Sequence, residues 1–71
     1  MKAEVGKKYR HYKGNEYVVL TIAKNSEDIA HEFVVYQDLS DSGKIWARPR
    51  AMFEEEVEID GKLMQRFTPI E

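Results

Sequence analysis

Val57-Glu58-Ile59-Asp60-Gly61-Lys62-Leu63-Met64 alternates apolar and acidic residues up to an Asp-Gly pair and runs on beyond it. Asp-Gly adopts the two positive φ angles of a type I′ turn, whose twist matches that of the strands it joins. The stretch therefore reads as a β-hairpin. In that register Ile59 faces Lys62, Val57 faces Met64 and Glu55 faces Arg66, while Glu56, Glu58, Leu63 and Gln65 share the other side. Val57, Ile59 and Met64 are expected to point inward.

Upstream the same strand signals recur. Ile45-Trp46-Ala47-Arg48 predicts a short strand that ends at Pro49, which has no amide hydrogen to give a ladder. Pro49 suits the first position of a helical turn through Ala51-Met52-Phe53-Glu54. Phe33-Val34-Val35-Tyr36 predicts another strand, broken afterwards by Asp41-Ser42-Gly43 and preceded by the polar turn Asn25-Ser26-Glu27-Asp28. Tyr17-Val18-Val19-Leu20-Thr21-Ile22 is rich in β-branched and aromatic residues and pairs with Lys7–Tyr12 across Lys13-Gly14-Asn15. A Gly14-Asn15 loop would set Tyr12 against Tyr17 and Arg10 against Val19; a Lys13-Gly14 loop would slip that pairing by one residue. About five short strands and one short helical turn predict a mainly β fold, a small SH3-like barrel or roll. The alternative is a small α+β sandwich with a helix over residues 27–32. The expected core is Val18, Leu20, Ile22, Val35, Val57, Ile59 and Met64.

The 71 residues read as a single domain, 1–71, with no linker or repeat. A chain this short buries roughly 60% of the surface its unfolded form exposes, so it has one core. Hydrophobic residues make up 42% and charged residues 34%, which excludes both a disordered tail and a membrane segment. With no cysteine there is no disulfide framework and no thiolate metal site. That absence, and the lack of an apolar run after Met1, lead to a cytoplasmic expectation. The net charge of −2 argues against a general grip on nucleic acid, yet Lys2, Lys7, Lys8, Arg10 and Lys13 make one end basic. Glu54, Glu55, Glu56, Glu58 and Asp60 make the second half acidic.

Tyr9-Arg10-His11-Tyr12 interleaves rings with cations, a combination that stacks bases, clamps phosphates or holds an extended peptide. The plainer reading is a strand whose alternate rings fill the core. Trp46 and Arg48 lie two apart on a strand and share a face, where a guanidinium beside an indole suits an anion or planar ring. The plainer reading makes Trp46 the central core residue and pairs Arg48 with the Glu54–Glu56 run. His11 and His31 lack the spacing of a metal site, so no metal or cofactor is expected. Ser26, Ser40 and Ser42 lie in polar turns, where serine needs no chemical explanation.

Gly6-Lys7-Lys8-Tyr9-Arg10-His11-Tyr12-Lys13-Gly14-Asn15-Glu16-Tyr17, Phe33-Val34-Val35-Tyr36, Trp46-Ala47-Arg48-Pro49, Met52-Phe53 and Val57-Glu58-Ile59-Asp60-Gly61 through Arg66-Phe67 resemble a family of short bacterial proteins. It is known as a domain of unknown function, number sixteen fifty-three. The resemblance covers nearly the whole chain and implies a stand-alone bacterial protein with no assigned activity. It also implies a histidine at the position held here by Asn25, so chemistry resting on that histidine would not carry over.

The functional expectation is a binding module that offers Arg10, Tyr12, Tyr17, Trp46 and Arg48 to a polar or anionic ligand, with Tyr9, His11 and Arg66 as further candidates. Nucleic acid, a nucleotide or an acidic peptide fits this description; the partner is an anionic ligand, a nucleic acid or a protein, and no membrane is involved. Arg10 and Arg48 are expected to meet on a common surface. The alternative is a small enzyme, or a component of one, using His11 with an arginine as anion clamp. A deep pocket with His11 beside a carboxylate would favour the enzyme.

Overall fold

The computed structural model describes residues 1–70. The elements are β1 (Lys8–His11), β2 (Glu16–Asn25), β3 (Asp28–Asp38), β4 (Asp41–Pro49), α1 (Arg50–Glu54), β5 (Glu56–Ile59), β6 (Lys62–Gln65) and β7 (Phe67–Ile70). Five strands form one antiparallel sheet in the order β4-β3-β2-β1-β7, and β5-β6 is a separate hairpin. The protein is mainly β, with a single short helix among the described residues.

The Asp60-Gly61 hairpin has the register read from the sequence. Val57 pairs with Met64 and Ile59 with Lys62, and the φ angles of Asp60 and Gly61 are 51° and 77°. The turn chemistry is local, so no distant contact is needed to set it. α1 follows Pro49 as expected, but Pro49 is its N-cap and the last residue of β4, and the first helical residue is Arg50.

Other expectations are corrected. The sheet does not close into a barrel: β4 and β7 are its two edges and do not pair. α1 covers the core face instead, laying Phe53 on Phe67 with ring centroids 4.0 Å apart. Residues 27–32 form no helix; from Asp28 they belong to β3. β4 has nine residues and already includes Asp41-Ser42-Gly43, because the reversal is made at Leu39-Ser40. There the buried Asp38 accepts hydrogen bonds from the Ser40 hydroxyl (2.6 Å) and amide (2.8 Å), which hold its carboxyl below the usual range. The β1–β2 connection is wider than either expected loop. Tyr9 pairs with Tyr17 and Arg10 with Glu16, and residues 12–15 form the turn. β7 is an additional strand whose Pro69 sits at the sheet edge, where a missing amide hydrogen costs no ladder bond.

The core lies on the face opposite to the one expected for most of β2 and β3. Its buried residues are Ala3, Tyr9, Val19, Val34, Tyr36, Phe53 and Phe67, with Tyr17 packed against them. Val18 and Val35 fall on the other face, half-buried, and Leu20 and Met64 are exposed. Val57 and Ile59 are half-buried. A β-bulge between Val19 and Thr21 returns Ile22 alone to the expected side. The extra residue, Leu20, shifts the alternation, so Tyr17 and Val19 face the core before it and Ile22, opposite Val34, faces it after.

Charge anchors the chain start to this core. Glu54 Oε2 accepts from the Ala3 amide (2.7 Å) and from Arg50 Nε (2.9 Å), and Arg50 Nη1 donates to Glu32 (2.8 Å). Burial pushes the Glu54 carboxyl up, but these donors outweigh it and the net shift is downward.

Candidate functional site

The core face has an open end where β1, β2, β3, β4 and β7 converge. Because residues directly opposite in a ladder share a face, the pairs His11–Phe67, Tyr36–Trp46 and Val34–Arg48 place His11, Trp46 and Arg48 on the core side. His11, Lys13, Asn15, Tyr17, Tyr36, Arg48 and Phe67 line a cleft of about 370 Å³ there. Its floor is a set of edge-to-face rings: Tyr17 to Tyr36 at 5.1 Å, Tyr36 to Phe67 at 5.5 Å and His11 to Phe67 at 5.0 Å.

Arg48 crosses this floor. Its Nε donates to the Tyr36 hydroxyl (3.1 Å) and its guanidinium lies 5.6 Å from the Phe67 ring centre. Of the four arginines, Arg10 pairs with Glu16, Arg50 with Glu32 and Glu54, and Arg66 with Glu55. Among the described residues no carboxylate pairs with Arg48, and none pairs with Lys13. The terminal nitrogens of Arg48 make no hydrogen bond among the described residues and are not sealed from solvent. The expected pairing of Arg48 with the acidic run is not made, because Arg50 and Arg66 occupy Glu54 and Glu55.

His11 sits between these cations. Burial first, then the charges of Arg48, Arg66 and Lys13, lower its pKa from the ordinary histidine value. The Lys13 amide donates to Nδ1 (3.1 Å), so this nitrogen is unprotonated and the imidazole proton is on Nε2. The ring is a neutral donor in a positive environment.

The remaining candidates go elsewhere. Tyr9 is fully buried, its hydroxyl accepting from the Glu4 amide at 2.9 Å. Arg10 points to the opposite face of the sheet, held by Glu16 at 2.6 Å, so Arg10 and Arg48 share no surface. Arg10 and Tyr12 instead line a second cleft of about 410 Å³ with His11, Met64, Gln65 and Thr68. Arg66 acts as a clamp, donating from Nε to the Met52 carbonyl (3.0 Å) and from Nη2 to Glu55 (2.7 Å). Trp46 is 49% exposed on the edge strand and so is not the centre of the core. His31 lies at the far end of the sheet, bonded to Asp28 at 2.7 Å. Asn25 accepts from the Glu27 amide in the β2–β3 turn. Lys13 and Asn15 were not singled out in the sequence, and only the turn that carries them brings them to the cleft.

A family model described as "Protein of unknown function (DUF1653)" matches residues 7–69. The chain belongs to this family. The match spans every strand and the helix, up to Pro69 in β7. Comparison with curated proteins gives no match, and comparison with solved structures gives none either.

Proposed function

We propose that this DUF1653 protein is a binding module whose cleft takes an anionic group. The observation that carries this is Arg48, the one arginine without a carboxylate partner among the described residues, held over an aromatic floor with its terminal N–H groups making no hydrogen bond there and not sealed from solvent. A planar guanidinium fork is suited to a carboxylate or phosphate. Tyr36 and Phe67 fix it in place, so little side-chain freedom is lost on binding. Lys13, the Asn15 amide and His11 Nε2–H add charge and donors on the other side of the cleft. No residue lining the cleft is acidic. A binding role therefore accounts for His11 better than general-base catalysis, because the one lone pair of the neutral ring, on Nδ1, is taken by the Lys13 amide and the outward Nε2–H is a donor.

The test is a nuclear magnetic resonance titration of ¹⁵N-labelled protein with inorganic phosphate and with acetate. Saturable shifts are expected at His11, Lys13, Asn15, Tyr17 and Arg48. Arg48→Ala should abolish them, and Arg10→Ala should leave them intact. Absence of saturation, or shifts that survive Arg48→Ala, would refute the proposal.

A further inference from the structure

Trp46 stands next to the cleft, on the same strand face as Arg48 but outside the cleft lining. It stands two residues before Arg48 on β4, directly opposite Tyr36, whose hydroxyl takes the Arg48 Nε hydrogen. Residues i and i+2 of a strand share a face and lie about 6.6 Å apart. β4 is the edge of the sheet, so nothing in the sheet covers the outer side of the indole, which is 49% exposed. A half-exposed tryptophan is an expensive surface residue. Here it lies on the same strand face as Arg48, two residues along β4 from a guanidinium whose Nε is held by Tyr36.

Resting on the anion-binding reading above, we propose that the ligand is a single nucleotide unit, its phosphate held by Arg48, Lys13 and His11 and its base stacked on Trp46. Aromatic stacking accepts any base, so the site selects for a phosphate joined to a planar ring rather than for one base. It holds one phosphate and does not follow a strand. Tight binding to a polyanion needs several cations along a track; here the cleft offers two without carboxylate partners, and the chain carries a net charge of −2.

Trp46 is the sole tryptophan, so its fluorescence reports stacking directly. The full chain is titrated with adenosine monophosphate, uridine monophosphate, adenosine, inorganic phosphate and an acidic hexapeptide. Hexanucleotides with and without a 5′-phosphate complete the panel, and phosphate binding is followed by nuclear magnetic resonance. Both monophosphates are expected to quench Trp46 saturably and to bind roughly tenfold or more tightly than phosphate alone. A 5′-phosphate should strengthen hexanucleotide binding, and the tighter of nucleotide and phosphorylated strand shows whether the natural unit is free or a strand end. Trp46→Leu should remove the preference for nucleotide over phosphate while phosphate binding persists, and Trp46→Tyr should restore part of it. Monophosphates binding no tighter than phosphate, or the acidic peptide binding tighter than both, would overturn the nucleotide assignment while leaving the anion cleft standing. If no anion binds at all, both proposals fall together.

Discussion

Phe67→Ala tests where the core lies. The ring is fully buried, stacks on Phe53 at 4.0 Å and meets Tyr36, Tyr17 and His11 edge-on. An aromatic side chain buries on the order of 150–250 Å², which at about 25 cal/mol per Å² is worth about 4–6 kcal/mol. The usual cost of Phe→Ala in a core, about 3–5 kcal/mol, agrees. A domain of this length has roughly 4–11 kcal/mol of stability in total, so the variant loses a large share and its Tm drops by roughly 15 °C or more. Trp46→Ala, at the half-exposed sheet edge, should cost less than about 1.5 kcal/mol. Urea denaturation followed by far-ultraviolet circular dichroism measures both. A Phe67→Ala loss no larger than that of Trp46→Ala would refute the arrangement of the core.

The hairpin and the histidine give two further predictions. Gly61 has a φ of +77° and open space around its missing Cβ, so Gly61→Val acts through the backbone alone; it should cost more than about 1 kcal/mol, seen as a lower urea midpoint. For His11, folding lowers the pKa of a base, so the unfolded chain binds more protons between the two values. Its contribution to stability is complete above about pH 6.5 and is lost as pH falls through the lowered folded value. A proton titration of the His11 ring should show a midpoint below 6.5 that rises when phosphate is added; a midpoint indifferent to phosphate would place the anion elsewhere.

What could be read in the sequence divides by range. The Asp60-Gly61 turn, the Pro49 helix start and the strand character of Tyr17–Ile22 and Phe33–Tyr36 depend on neighbouring residues, and all are present. The inward face of β2 beyond Val19 depends on the Leu20 bulge, which nothing in an unbroken apolar run announces. Phe53 and Phe67 lie outside the strongest strand signals, so their role in the core emerges only once α1 folds back over the sheet. For the site, the shared face of Trp46 and Arg48 followed from strand alternation. Which arginine would be left without a carboxylate did not. That depends on tertiary neighbours: Glu16 lies across the ladder from Arg10, whereas Val34 lies across from Arg48.

The bulge at Leu20 bears on how the chain finds its alignment. Tyr17-Val18-Val19-Leu20 offers apolar groups to both faces, so sliding β2 by one residue would exchange one greasy set for another with little change in burial. Two alignments of nearly equal energy would compete during folding, and the slower-clearing one would act as a trap. The additional residue breaks that degeneracy, because only one alignment brings both Val19 to Tyr36 and Ile22 to Val34 on the same side. Leu20 packs little, and its value lies in being counted: the position works as a frame marker along the chain, tolerant of what the side chain is and intolerant of its deletion.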